Sequence, residues 1–180
     1  MPTIANCNVT RRTIDLSQAK FSHSVPPLLQ RVLLARGIID DSGIEHRLQR
    51  LQTPETLAGL AGAVTLLVEA LQRQYPVVVI GDFDADGATS SALMVLALKA
   101  MGMQTIDFLV PNRFEFGYGL TPQIVALAVE RFHPKVIITV DNGIASIDGV
   151  AAAKSYGLTV IITDHHLPCL LYTSPSPRDA

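Results

Sequence analysis

At 180 residues the chain is long enough for one domain with a real core, and 48% hydrophobic against 17% charged residues excludes a disordered chain. A net charge of -2 supplies no basic field of the kind that announces nucleic acid by itself. The two cysteines, Cys7 and Cys169, form neither a metal-type pair nor a disulfide framework, and a reducing cytoplasm is the expected compartment.

Met1 to Arg12 contains no long apolar run, so no secretory signal is expected, and no membrane is expected as a partner, because the longest apolar runs are about one strand long. Residues 1–60 read as a helical N-terminal segment. Pro26-Pro27 opens a helix with Leu28, Leu29, Val32 and Leu33 on one face and Gly37 as its stop. Ile44, Leu48 and Leu51 predict a second short helix, and Gly62 to Gln74 a third that leads into the first strand.

From there the chain alternates. Buried-type strands are predicted at Val77–Ile80, Ile106–Val110, Val136–Val140 and Thr159–Thr163. Helices are predicted between them, near Thr89–Met101, Pro122–Phe132 and Ser146–Tyr156, with Gly102 and Gly157 as stops. Continuous apolar strands alternating with helices predict an α/β fold, a parallel sheet flanked on both faces by helices. The closing residues 169–180 carry two prolines and no strand or helix pattern; they read as an unstructured tail, or as a non-native one if the natural chain is interrupted near Pro168.

Each acidic motif follows a strand. Asp82, Asp84 and Asp86 follow the first, Asp141 the third, and Asp164-His165-His166 the fourth. In an open parallel sheet the carboxyl ends of the strands share one edge, so these motifs are expected to converge there. Each has a plainer reading alone. Asp82-x-Asp84-x-Asp86-Gly87 matches the start of a calcium loop, but that loop needs a glutamate where Leu93 stands and a helix where this chain has a strand. A strand ending in Asp-x-Asp also resembles haloacid-dehalogenase-type phosphotransferases, from which Ala88 departs. Asp141-Asn142-Gly143 reads equally as a turn, and His165-His166 as a solvated pair. Carboxylates with imidazoles and no thiolate suit Mn²⁺ or Mg²⁺. Two such ions roughly 3.5–4 Å apart serve in-line phosphoryl displacement. The reaction class expected is metal-dependent phosphoester hydrolysis.

The loop Pro111–Gly119 opens on the same edge. Asn112, Arg113 and Tyr118 are its candidate substrate-binding residues: Arg113 to hold a phosphate through its guanidinium fork, and Tyr118, with Phe114 or Phe116, to stack on a base. Buried aromatics in a glycine-hinged loop are the alternative. Gly87 to Ser90 opens a helix beside the carboxylates, where backbone N–H groups favour anions or where Thr89 or Ser90 acts as a simple cap.

Taken together, Gly81–Ser90 (GDFDADGATS), Val110–Gly119 (VPNRFEFGYG), Thr139–Ser146 (TVDNGIAS) and Ile162–Pro168 (ITDHHLP) closely resemble the DHH phosphoesterase superfamily, and within it the single-strand-specific exonucleases. The resemblance covers about residues 10–168, with 61–168 as a partial DHH domain. It implies Mn²⁺- or Mg²⁺-dependent hydrolysis of single-stranded DNA from the 5′ end in repair and recombination. For a full-length protein it implies a single-strand-binding protein and a helicase as partners.

By motif match Asp84, Asp86, Asp141, His165 and His166 take the metal-centre role, and Asp86, Asp141, His165 and His166 are the catalytic candidates. Asp82 stands where family pyrophosphatases have a histidine and is counted as a ligand, and Asp164 either ligates or orients a histidine. The family continues into a further aspartate ligand and a second, DNA-binding domain, which this sequence lacks, so a truncated chain with impaired turnover is expected. Oligoribonucleotide or cyclic-dinucleotide hydrolysis, or a non-catalytic nucleic-acid or partner-binding module, are the alternatives.

Overall fold

In the computed structural model, residues 13–22 and 24–166 are described, and the chain divides into two compact units between Thr56 and Leu57. The tail expected at 169–180 and both cysteines lie outside the described residues.

In the first unit, a 3₁₀ turn at Leu16–Gln18 is capped by Asp15, whose side chain accepts the Ser17 N–H. Helix α1 (Pro27–Leu34) begins at the proline pair, and Gly37 beyond it takes the left-handed conformation that ends the turn. The apolar face expected on α1 is largely open: Leu28, Leu29 and Val32 are exposed and Leu33 is half-buried. The helix predicted around Ile44 to Leu51 does not form. Two 3₁₀ turns, Asp41–Ile44 and Leu48–Arg50, stand there instead, separated by extended backbone at Glu45 and Arg47. Asp40 explains the first of them, because its side chain accepts the Ser42 N–H and starts the turn early.

The second unit carries helix α2 (Leu60–Arg73), then β1 (Val77–Gly81), α3 (Ala85–Ala100), β2 (Ile106–Leu109), α4 (Arg113–Phe116), α5 (Pro122–Phe132), β3 (Val136–Val140), α6 (Ile147–Ser155) and β4 (Thr159–Thr163). The four strands form one parallel sheet in the order β2-β1-β3-β4. Side chains alternate across it. Val77, Val79, Val136, Ile138 and Val140 pack with Ala70 and Leu98 from α2 and α3, while Val78, Ile80 and Ile137 pack with Ile124, Val125, Ala128 and Ala153 from α5 and α6. Each fully buried valine or isoleucine contributes roughly 1.5–3 kcal/mol.

Full burial on both faces holds for β1 and β3 only; in β2, Asp107 and Phe108 are exposed, and in β4, Ile162 and Thr163 are. Both are edge strands, so the continuous cover expected for four strands is met by the central pair. No single helix among the described residues is long and apolar enough to cross a membrane.

Chain order reverses at β1: its neighbours are β2 on one side and β3 on the other. Ligand crevices of parallel α/β sheets open at such a reversal, outside the carboxyl ends of the strands. Asp82 and Asp84 follow β1 and Asp141 follows β3, so the acidic residues flank this crevice.

Candidate metal centre

Helix α3 starts four residues earlier than the apolar pattern suggests, because Asp84 caps it. The Asp84 Oδ1 accepts the N–H groups of Asp86 and Gly87 at 3.1 and 3.0 Å. Thr89 and Ser90, the simple caps considered from sequence, instead return their hydroxyls to the carbonyls of Ala85 and Asp86. The Gly87 N–H foremost, opposed by desolvation and helped by Asp86 N–H, holds the Asp84 carboxyl below its ordinary pKa. Both capping bonds use Oδ1, and the Asp84 carboxyl lines the cleft within reach of Asp141.

Across the crevice Asp141 adopts a left-handed backbone, φ 61°, uncommon for a residue with a Cβ and of a kind concentrated at functional sites. The next residue is not the surface turn that Asn-Gly suggests. Asn142 is 2% exposed, and its amide donates to Ile80 O at 3.1 Å and Val140 O at 2.9 Å. It ties the ends of β1 and β3 together beneath the acidic residues. Its role was hidden because Asn-Gly is a strong turn signal wherever it occurs.

From β4, His165 Nε2 lies 2.9 Å from Asp141 Oδ1, and His166 Nδ1 lies 2.6 Å from Asp164 Oδ1. Asp164 also accepts the His166 N–H at 3.0 Å and, on Oδ2, the Ile144 N–H at 2.9 Å. With both oxygens engaged, Asp164 orients His166 and fixes the loop after β3. Burial pushes the Asp164 carboxyl up, but these hydrogen bonds together outweigh it and leave its pKa below the ordinary value. The hydrogen bond to Asp164 raises the pKa of His166, against desolvation and with help from Asp141 and Asp82.

Two groups emerge in which each residue offers a ligand atom within 4.8 Å of the others: Asp82, Asp84 and Asp141, and Asp141, His165 and His166. Asp141 belongs to both. Its carboxyl is raised above the ordinary value, by burial first and by the charge of Asp84, and the His165 hydrogen bond only partly offsets this. A carboxylate so placed is short of positive charge. The donor chemistry, oxygens and imidazoles without thiolate, fits a hard or borderline divalent cation. Asp86 is outside both groups; it stands in the first turn of α3, lining a shallow hollow with Ser90, Asp141, Thr163 and His165.

An open cleft of about 1070 Å³ runs from these groups along Arg113, Tyr118 and the start of α6. Of the substrate candidates, Asn112 caps α4, accepting the Phe114 N–H at 3.1 Å. Arg113 pairs with Asp82 at 3.3 Å, its guanidinium 4.0 Å from the Phe83 ring centre and 5.1 Å from that of Tyr118. The Tyr118 phenol lies 3.4 Å from His166 Nδ1, and burial with the charges of Asp82, Asp164 and Asp141 pushes its pKa up to about 12, so it stays protonated. Phe114 is 96% exposed, whereas Phe116 packs into the core. Phe83 had no role from sequence; an exposed aromatic between two aspartates was the available signal.

Strand-end carboxylates and a histidine doublet line one crevice of a parallel α/β sheet, and the profile of the DHH family, N-terminal domain, matches residues 76–177. The chain belongs to the DHH family. Within it, the chain is 47% identical over 160 residues to the single-stranded-DNA-specific exonuclease RecJ of Haemophilus influenzae, covering 89% of this chain and 27% of that protein. It is 46% identical over 158 residues to RecJ of Escherichia coli, covering 88% and 27%. A crystal structure of exonuclease RecJ bound to manganese superposes with a TM-score of 0.57 at 37% identity, covering 67% of this chain and 30% of that one. The chain thus spans about a quarter of the length of the curated relatives it matches.

Proposed function

We propose that this chain supplies the metal-holding wall of a RecJ-type nuclease that removes nucleotides from the 5′ end of single-stranded DNA in repair and recombination. The observation that carries this reading is the membership of Asp141 in two ligand groups at the crevice. Asp82, Asp84 and Asp141 would hold one Mn²⁺ or Mg²⁺, and Asp141, His165 and His166 a second, with Asp86 beside them. Such a pair of ions supplies an activated water and neutralises charge on the phosphodiester. Asp164 holds His166 in place. Arg113 has the charge and fork geometry to take a substrate phosphate, and the neutral Tyr118 phenol is a donor and a stacking surface at the same wall of the cleft. The compartment we propose is the cytoplasm, with a single-strand-binding protein and a helicase as partners of the complete enzyme.

The test is a chimera in which residues 13–166 replace the matching segment of the Haemophilus influenzae relative. Given 5′- or 3′-labelled single-stranded DNA and Mn²⁺, it is expected to release the 5′ label first. EDTA or Asp141→Ala is expected to stop it. Digestion that survives both, or a preference for dinucleotides over long strands, would reject the reading.

A further inference from the structure

Arg113 occupies a position that the proposed metal reading leaves unexplained. It lies 3.3 and 3.4 Å from the two carboxylate oxygens of Asp82, a member of the first ligand group. With the guanidinium against both oxygens, a divalent ion reaching the same carboxylate meets an occupied site, and the two cations repel at this separation where the site is partly buried. The Asp82 side chain is 11% exposed and the Arg113 side chain 39%, so the pair is partly shielded from water.

Two aromatic rings hold the arginine there together with the carboxylate. The Phe83 ring stands 4.0 Å from the guanidinium carbon, and Tyr118 approaches from 5.1 Å. A guanidinium over an aromatic face is attracted by the ring quadrupole, the more so where water is excluded. The Phe83 backbone fixes the geometry, because its N–H donates to the Asp82 carboxylate Oδ1 at 2.7 Å, which couples ring and carboxylate as neighbours.

We propose that Phe83 is a positioning residue: its ring holds Arg113 against Asp82, so that the arginine serves as a displaceable counter-ion competing with a divalent cation for that carboxylate. A cation arriving at Asp82 expels the guanidinium, and the rings of Phe83 and Tyr118 keep it in the cleft, where a phosphate is the remaining partner of matching charge. This rests on the metal reading above for the identity of the competitor, but the aromatic clamp is independent of it.

The experiment therefore has two readouts on the purified chain. Calorimetric titration with Mn²⁺ is expected to show binding tightened about 3–10-fold by Arg113→Gln and about 2–5-fold by Phe83→Leu, with Phe83→Tyr at the wild-type value, on the scale of one lost charge contact. In an Arg113→Gln background, Phe83→Leu is expected to add nothing, since Phe83 acts only through the arginine. A Phe83→Leu effect that persists in that background would overturn the proposal, as would equal Mn²⁺ affinity in all variants. Without metal, the Arg113 Nε–H resonance is expected upfield from the ring current and released by Phe83→Leu. An Nε–H shift unaltered by Phe83→Leu would reject the clamp. An absence of Mn²⁺ binding in every variant, with the ring-current shift intact, would reject the metal reading and the competition while leaving the clamp standing.

Discussion

Asp164 holds His166 twice, accepting its backbone N–H at 3.0 Å and standing 2.6 Å from its Nδ1. A proton on Nδ1 donated to the carboxylate leaves the lone pair on Nε2, the arrangement by which carboxylates set the tautomer of metal-binding histidines. Asp164→Asn is expected to weaken Mn²⁺ binding about 10–100-fold while leaving the fold intact.

The same pair sets a pH dependence in the ion-free protein. A depressed carboxylate pKa contributes stability that is present above the unfolded value, near ~4, and is lost as pH falls through the folded value. A raised histidine pKa contributes stability that is complete below its unfolded value, about 6.5, and is lost as pH rises through the folded one. The stability difference between wild type and Asp164→Asn should therefore be largest between about pH 4.5 and 6.5, and shrink on both sides. Urea titrations across pH in EDTA check this, and an NMR titration of His166 should show its midpoint fall in the variant.

Asp141 carries the opposite sign. Burial and the charge of Asp84 raise its pKa, so the folded ion-free protein loses stability as pH rises from the ordinary carboxylate value to the raised one, and does not regain it above. Asp141→Asn is expected to be more stable than wild type in EDTA at pH 7 and no more stable below about pH 3. In Mn²⁺ at about a hundredfold over Kd the order reverses, because wild type gains about 2.7 kcal/mol and the variant gains nothing. Thermal melts with and without Mn²⁺ would show it; a variant that keeps the full metal shift would remove Asp141 from the centre.

Asn142 is a structural counterpart to these charged residues. Its amide serves the carbonyls of Ile80 and Val140, at the carboxyl ends of the two central strands just before the acidic residues. Asn142→Ala leaves two buried acceptors without that donor, each costing about 1–3 kcal/mol. A urea-midpoint loss of that order is expected, together with weaker Mn²⁺ binding although no ligand has been removed.

The fold was legible because hydrophobic runs and acidic strand ends follow directly from sheet periodicity. Val77–Ile80 and Val136–Val140 could only be buried strands, and a parallel sheet then puts Asp82, Asp84 and Asp141 on one edge. Edge position was not legible, since it depends on strand order; the exposed Asp107 in β2 was the local hint. Nor could three aspartates spaced by two reveal their separate tasks. Asp84 caps a helix, Asp82 meets an arginine, and Asp86 lies in the helix itself, differences created by where the chain turns. The apparent helix at Ile44–Leu51 failed because apolar spacing is blind to local capping at Asp40.

Gly87 tests how tightly that turn is packed. In an ordinary helix, replacing glycine with alanine is favourable by up to about 1 kcal/mol. At Gly87, however, a Cβ would fall within contact distance of the Asp82 backbone, which cannot rotate aside. Overpacking of this kind costs about 1–3 kcal/mol and outweighs the helical gain. Gly87→Ala is therefore expected to lower the urea midpoint and, by displacing Asp82 from Asp84 and Asp141, to weaken Mn²⁺ binding. Gly62 in α2 is the control: a Cβ there meets nothing within 4 Å, so Gly62→Ala should raise stability by about 0.5–1 kcal/mol. If both substitutions stabilise, the close approach of α3 to the Asp82 backbone is not what holds the acidic residues together.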